Sequence, residues 1–543
     1  MSTVGSDDEA SDEQTRLLES AEEAAAEVES GDYAYDYAPM KEVYKILIGI
    51  CSVVVIIILS IAVYPSRTPQ GGSTSGGNDV SNLESVSEGQ TKVITKKPHI
   101  VFVTASGLGW NDVGWRNWEV RSPNLNRLAK KGVVFNWSYV EDADEPTQEA
   151  ILSGLYPHFS AANCLPRNAT FLPNVLRGAG YKTHMIGAWN IEHKNVSFLP
   201  NDIGFDSYFG SIGKVDYYNH RNSYSNHWEN AKQVDGYNGT FLTDVFADRA
   251  VQKIRDHVVG KDNSPLFLYL AFQAIAEPTS PPVMYRMPEN HPNVWKKRRR
   301  VYEMIYALDS AVGRVLDEIR SSGIDEDTIF IFSTTSGAAV DEAGSNSPLR
   351  GGKFTQWEGG TRATTIMRSE KLRNSTLYSG LFHAVDWLAT LSSAAGMTPN
   401  LNVTDGVDYW SLLVNDFANR SVITKGQNVK VIRRGRYKLI IGNPVRADYK
   451  GRVLSKLNIT DMNLNCVFNA RKYFASDKCK DFNFDLSNAT LLFDLYDDPG
   501  ELQDISMSHP RILQDLKLEL SKVFEDCVLS DGRSLPVAAT PGA

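Results

Sequence analysis

The chain has 543 residues, 42% of them hydrophobic and 22% charged, enough for one large globular domain or two smaller ones. A net charge of −9 and an isoelectric point near 5.7 exclude the basic surface expected of a nucleic-acid-binding domain. Much of the acidity is concentrated at the start. Residues 1–45 carry runs such as Asp7-Asp8-Glu9 and Glu22-Glu23 with few apolar residues between them. Such a segment cannot bury enough surface to fold alone and is expected to be a disordered tail.

Two short patterns stand in that tail. Glu13 to Leu18 (EQTRLL) resembles an acidic dileucine sorting signal read through Leu17 and Leu18. Tyr37-Ala38-Pro39-Met40 resembles a tyrosine-based one read through Tyr37 and Met40. Together they imply sorting adaptors on the cytosolic side and an endosomal or lysosomal membrane. Without them the same anchor would leave the protein at the plasma membrane.

Residues 46–64 hold the continuous apolar stretch ILIGICSVVVIIILSIAV. About twenty such residues cross a bilayer as a helix; a buried core helix is the alternative. A cleaved signal peptide fits poorly, because the preceding tail is long and acidic and Tyr64-Pro65 follows where small residues should stand. Lys41 and Lys45 on one side and Arg67 on the other give only a weak charge bias. Glycosylation sequons orient the anchor better. They occur at Asn136, Asn168, Asn195, Asn238, Asn374, Asn402, Asn419, Asn458 and Asn488, all after the apolar stretch. The expected arrangement is a type II glycoprotein: cytosolic N-terminus, one uncleaved transmembrane anchor, and a lumenal or extracellular bulk. Cys164, Cys466, Cys479 and Cys527 lie on that oxidising side. Four cysteines allow three pairings, of which Cys466–Cys479 with Cys164–Cys527 is expected.

Residues 65–95, with GGSTSGG, read as a flexible stalk. Beyond it the runs HIVFV (99–103), LFLYLAF (266–272) and TIFIF (328–332) suit buried strands, since buried parallel strands are continuously apolar. Between the last two, Val301, Met304, Ile305, Leu308, Val312, Val315 and Ile319 repeat at helical spacing, with Gly323 placed as a C-terminal cap. Strands alternating with such helices predict an α/β fold, a mixed sheet flanked by helices, over 96–407. The stretch 429–441 (VKVIRRGRYKLII) reads as a hairpin around Gly435. It belongs to a smaller antiparallel-sheet subdomain expected over 408–530, followed by a tail at 531–543. The basic run Lys296 to Arg300 is expected to be the solvated start of its helix rather than a binding patch.

Several blocks resemble the sulfatase family, in particular its arylsulfatase B-like branch within the alkaline phosphatase superfamily. They are 98–114 (PHIVFVTASGLGWNDVG), 180–189 (GYKTHMIGAW), 199–210 (LPNDIGFDSYFG), 266–278, 328–337 (TIFIFSTTSG) and 348–362 (PLRGGKFTQWEGGTR), in family order with family spacing. The resemblance implies the alkaline-phosphatase-like fold with a small C-terminal subdomain. It also implies a divalent cation, usually calcium, among carboxylates and an amide; a formylglycine nucleophile made from cysteine; and Lys and His groups that bind sulfate and move protons.

Position by position, this chain departs from that chemistry. The family's paired aspartates after the first strand are Ser106 and Gly107, and its later Asp-Asn pair is Thr335 and Ser336. The cysteine of the C-x-P-S-R motif is Asp144, the motif's arginine is Gln148, and only its proline remains, as Pro146. A Lys and two His of the family correspond to Ala188, Asn190 and Ala276, leaving Lys353, with Arg350 and Glu358 nearby in sequence. Affinity for a hard cation follows ligand charge and number, so no cofactor is expected. Meanwhile Trp110, Pro146, Gly187, Trp189, Pro278 and Gly337 persist beside the lost groups. Trp110, Trp189 and Trp357 are expected as core or pocket walls. The pattern predicts a pseudo-sulfatase acting as a scaffold, trafficking or binding protein, with a protein partner or a glycan ligand. An active arylsulfatase and a cell-surface receptor or adhesion protein are the alternatives.

Overall fold

The computed structural model describes residues 96–525, apart from 158–168, 192–198, 221–226, 261–262, 288–295, 373–375, 416–420, 427–428 and 445–488. The tail signals at Leu17, Leu18, Tyr37 and Met40, the anchor at 46–64, the stalk and both expected disulfides lie outside the described residues, as do the sequons at Asn168, Asn195, Asn374, Asn419, Asn458 and Asn488. Among the described residues no helix is long and apolar enough to cross a membrane.

The apolar runs become strands and the helical repeat becomes a helix. The main sheet is built from β1 (His99–Ala105), β2 (Val133–Tyr139), β3 (Lys182–Trp189), β4 (Ser207–Ile212), β5 (His227–Glu229), β6 (Lys232–Val234), β7 (Leu266–Phe272), β8 (Thr328–Thr334), β9 (Thr365–Arg368) and β10 (Thr376–His383). Their order is β10-β2-β9-β8-β1-β7-β3-β4-β5-β6. β1 pairs in parallel with both β7 and β8, and β3 with both β7 and β4, so the centre of the sheet is parallel. β9 runs antiparallel between β8 and β2, which makes the sheet mixed.

Helices cover both faces: α1 (Pro123–Lys131), α2 (Asp144–Ser153), α3 (Leu172–Gly178), α4 (Leu242–Val259), α5 (Lys296–Ser321), α6 (Glu358–Thr361), α7 (Asp386–Ala394) and α8 (Trp410–Asn415). Alternation along β1 divides the core. Val101, Val103 and Ala105 pack with Leu128, Phe246, Ile254, Met304 and Val312 of α1, α4 and α5. Ile100 and Phe102 point the other way, onto Ile151, Leu176 and Trp387 of α2, α3 and α7. Two apolar faces on one strand require two helical layers, and this is why β1, β7 and β8 read as unbroken apolar runs. α5 ends as expected: Gly323 has φ +72 and its N–H bonds to the Arg320 carbonyl at 3.0 Å, a conformation that costs a residue with a Cβ far more.

A second sheet, β11 (Ser421–Gly426), β12 (Val429–Arg434), β13 (Tyr437–Gly442) and β14 (Thr490–Asp494), is antiparallel throughout in that order. The expected hairpin is β12–β13, turning at Gly435. One face of this sheet is covered by α9 (Pro510–Glu525) through Leu516 and Leu520. The other packs Val431, Ile440 and Phe493 against Trp137, Tyr139 and Trp357 of the main domain. Tyr409, just past the expected boundary at 408, belongs to the main core.

The basic run at the head of α5 is only partly solvated. Arg298 turns inward, 5% exposed, and pairs with the fully buried Asp112 at 2.6 Å; Lys297 pairs with Glu342 at 2.7 Å. A charge run read by sequence alone hides such a residue, because its partner lies on a distant loop.

Candidate functional site: a closed ion-pair cluster

The C-terminal ends of β1, β8 and β3 and the head of α2 meet at one edge of the sheet, where open α/β sheets hold their ligands. Ser106 follows β1, Thr335 follows β8, Asp144 opens α2, and Ala188 sits near the end of β3. The structure therefore brings together most of the positions singled out from sequence.

Asp144 is the hub. Its Oδ1 accepts hydrogen bonds from the Ser106 and Thr335 hydroxyls, both at 2.7 Å. Its Oδ2 accepts from Lys353 Nζ at 2.6 Å, and Lys353 also donates to Ser106 Oγ at 3.2 Å. Asp144 and Lys353 are 6% and 4% exposed. The more exposed Lys214 approaches Asp144 Oδ2 at 3.4 Å. Burial alone would raise the Asp144 carboxyl, but Lys353 and Lys214 outweigh it and hold the group well below the usual carboxylate range. Burial also dominates at Lys353, which falls to about 8 against the pull of Asp144. The two shifts point in opposite senses about the pair's strength, yet both leave it ionised at neutral pH. The 2.6 Å contact is a charge-assisted hydrogen bond between two ionised groups.

Gln148 sits one turn along α2 and closes the neighbouring wall. Its Nε2 donates to the Ala188 carbonyl at 3.1 Å and its Oε1 accepts from the Asn190 N–H at 2.7 Å. What remains between Asp144, Gln148, Ala188, Asn190, Lys214 and Gln273 is a cavity of about 10 Å3, room for about one water. Ala276 stands apart from it, packed against Gly107, whose φ is +71. Ser336 is buried. Arg350 and Glu358, adjacent in sequence to Lys353, are drawn away: Arg350 stacks on Trp357 at 3.7 Å, and Glu358 faces the second sheet. Trp189 and Trp357 are core, while Trp110 lies between Arg116 and Arg362, at 3.4 and 4.2 Å from the two guanidinium carbons.

The donor set does not fit the divalent cation that the fold family implies. Ser106 and Thr335 offer neutral hydroxyls, Gly107 offers no side chain, and the one carboxylate is already neutralised by an ammonium. Among the described residues no group of three or more His, Cys, Asp or Glu could hold a metal ion. Sequence reasoning missed Lys214. It lies just past β4, and only the pairing of β4 beside β3 carries it to this edge.

Three sequons fall on described residues. Asn238 and Asn402 are exposed. The expected sequon at Asn136 lies within β2, and Arg362 donates to its side-chain oxygen at 2.9 Å and to its carbonyl at 2.8 Å. A glycan on its Nδ2 would have to stand beside the Arg362 guanidinium that holds this side chain. Replacing Asn238 or Asn402 by Gln should each remove one glycosidase-sensitive step from the gel mobility of the expressed chain, and Asn136→Gln should remove none; a step lost at Asn136 would contradict this placement.

The Sulfatase family matches residues 98–397 of the chain. Arylsulfatase J of Mus musculus is 30% identical over 478 residues, covering 80% of this chain and 77% of that protein. N-acetylgalactosamine-6-sulfatase of Mus musculus is 27% identical over 385 residues, covering 63% and 71%. Among solved structures, the PsFucS1 sulfatase from Pseudoalteromonas sp. superposes with a TM-score of 0.60 at 20% identity, covering 79% of this chain and 90% of that one. With the family's pattern spanning residues 98–397, more than half of the chain, and a relative 30% identical over 80% of it, the chain belongs to the sulfatase family.

Proposed function

We propose that this chain is a pseudo-sulfatase: a sulfatase-fold membrane glycoprotein that binds or escorts a partner without hydrolysing sulfate esters. The observation that carries the reading is the Asp144–Lys353 pair, locked by Ser106 and Thr335, where the family keeps its nucleophile and cation. A carboxylate cannot become formylglycine. An ammonium bonded to it cannot act as a Lewis acid, and a cavity for about one water admits no sulfate ester.

Ser106 and Lys353, 3.2 Å apart, favour one other reading, a serine activated by a lysine base. That base must be neutral, and here its proton is held by Asp144. The active arylsulfatase that kinship suggests is the rival this proposal has to exclude. The full-length chain in detergent should show no turnover of a chromogenic aryl sulfate above background, with or without calcium. Turnover proportional to protein would overturn the proposal.

The anchor at 46–64, the sequons beyond it and the two tail signals support a type II protein of the endolysosomal membrane with its sulfatase-like domain in the lumen. Changing Leu17 and Leu18 to Ala should move it toward the cell surface. Unchanged residence would favour the receptor or adhesion alternative. A partner protein or glycan meets an outer surface in this reading, since the old pocket is shut; the open groove edged by Glu277, Lys296, Arg300 and Glu342 is one such surface.

A further inference from the structure

The second sheet is held on the first by a buried charge cluster that the proposed function does not use. Glu358, at the head of α6, lies in the main domain. Lys438 of β13, Arg433 of β12 and Glu501, past β14, lie on the other side. Lys438 Nζ touches both carboxylates, Glu358 Oε1 at 3.0 Å and Glu501 Oε1 at 2.8 Å. Glu501 Oε2 accepts the Glu358 backbone N–H at 2.6 Å. Both glutamates are 0% exposed and Lys438 is 1% exposed.

The remaining neighbours are shared unequally. Glu358 Oε2 accepts the Tyr139 hydroxyl at 2.9 Å and faces Arg433 at 3.7 Å and Arg362 at 3.8 Å. Arg350 donates to the backbone carbonyl of Glu501, at 3.0 Å, and not to its carboxyl. Asp498, on the same turn as Glu501, adds a further negative charge facing Arg350. Glu358 thus has four partners for its charge, while Glu501 has a half share of one ammonium and one backbone N–H in a dry interface. Two carboxylates on one lysine ionise unequally, because the second charge must be buried beside the first.

We propose that this cluster is a pH-sensitive clasp: Glu501 enters it as the neutral acid, so the second sheet is held more tightly on the main sheet in acidic surroundings than at neutral pH. The electrostatics agree with the geometry. Burial pushes the Glu501 carboxyl up to about 7, Lys438 pulling against it and Glu358 adding to it. At Glu358 burial acts in the same upward sense, but Lys438, Arg433 and Arg362 overcome it and keep the group ionised. The sign follows. When the sheets part, Glu501 regains an ordinary value near 4.5. A carboxyl raised in the closed state favours closure most below that ordinary value. The advantage is lost as pH rises through the closed-state value, so it fades between about pH 4.5 and 7.

The test is hydrogen exchange of the β12–β14 amides in the full-length chain in detergent, compared with Glu501→Gln, which mimics the neutral acid at every pH. The opening equilibrium of the wild type relative to the variant should rise by about tenfold or more from pH 5 to pH 7, with the two within about fivefold of each other at pH 5. A ratio independent of pH, a variant that opens more readily than wild type at pH 7, or a variant unable to fold at pH 5 would each overturn the proposal. In the wild type alone, opening no rarer at pH 5 than at pH 7, after correction for intrinsic exchange, would do the same.

Discussion

Replacing Asp144 by Ala is expected to destabilise the folded chain by about 3–5 kcal/mol, the usual cost of removing one partner from a buried ion pair. The substitution strands the Lys353 ammonium at 4% exposure, with Lys214 as a like charge close by. It also deprives the Ser106 and Thr335 hydroxyls of their shared acceptor. The loss is a cost of the unpaired charge rather than the worth of the pair. Removing both members, as Asp144→Ala with Lys353→Met, should therefore recover most of it and bring the protein within about 1–2 kcal/mol of wild type. Asp144→Asn should fall between, since an amide keeps an acceptor for the hydroxyls but no charge for the lysine. Denaturant unfolding of wild type, Asp144→Ala, Lys353→Met and the double variant at pH 7 measures the coupling directly. A single Asp144→Ala loss below about 1 kcal/mol would mean that Lys353 escapes to solvent and the pocket is not sealed.

The fold was legible because its central strands answer to burial on two faces. β1, β7 and β8 are each buried at all seven positions, so nothing polar interrupts them and no alternation has to be recognised. The hairpin at Gly435 and the cap at Gly323 were legible for a local reason, the chain reversal that glycine permits. β5, β6 and β9, of three, three and four residues, carry too little pattern to be read without their partners.

The site was legible position by position through its resemblance to the family, but its new wiring was not. Nothing near Lys214, Arg298 or Lys438 in sequence announces Asp144, Asp112 or Glu358, because each contact is made by sheet topology and not by spacing. Two glycines beside the pocket positions answer to steric crowding instead. Gly187, at φ +120, would place a Cβ into the Ala271 carbonyl, and a Cβ on Gly337 would overlap the Gly359 carbonyl. Backbone crowding preserves these residues whatever the pocket does.

Acidification from pH 6.5 toward 4 should cost the folded chain more than the clasp at Glu501 returns. Burial is the first cause of a lowered pKa at four histidines: His99, His184 and His227 fall to about 4, and His220 is lowered as well. Hydrogen bonds require the neutral rings. His99 Nδ1 accepts the Leu266 N–H at 3.0 Å. His220 and His227 face each other at 2.8 Å through Nδ1 and Nε2, and His220 spends its Nε2 proton on the Thr240 carbonyl at 2.7 Å. His220 Nδ1 must then accept from His227, a bond that protonating His220 destroys. The unfolded chain takes up protons near 6.5 that the folded chain refuses until about 4, so stability is present above the first value and lost as pH falls toward the second. Each refused proton contributes a slope of about 1.4 kcal/mol per pH unit, and at least three histidines oppose Glu501 and the carboxyls of Asp244, Glu277 and Asp309, which burial also raises. Unfolding midpoints measured from pH 4.5 to 7 should rise steeply to about pH 6 and then level or decline. His99→Asn, which keeps an acceptor for Leu266 and does not titrate, should make the acid limb shallower by about one proton. Midpoints that hold steady or climb from pH 6.5 down to 4.5 would show that these imidazoles are not buried neutral. The two effects separate in space: acid loosens the main sheet through its histidines while tightening the second sheet's grip.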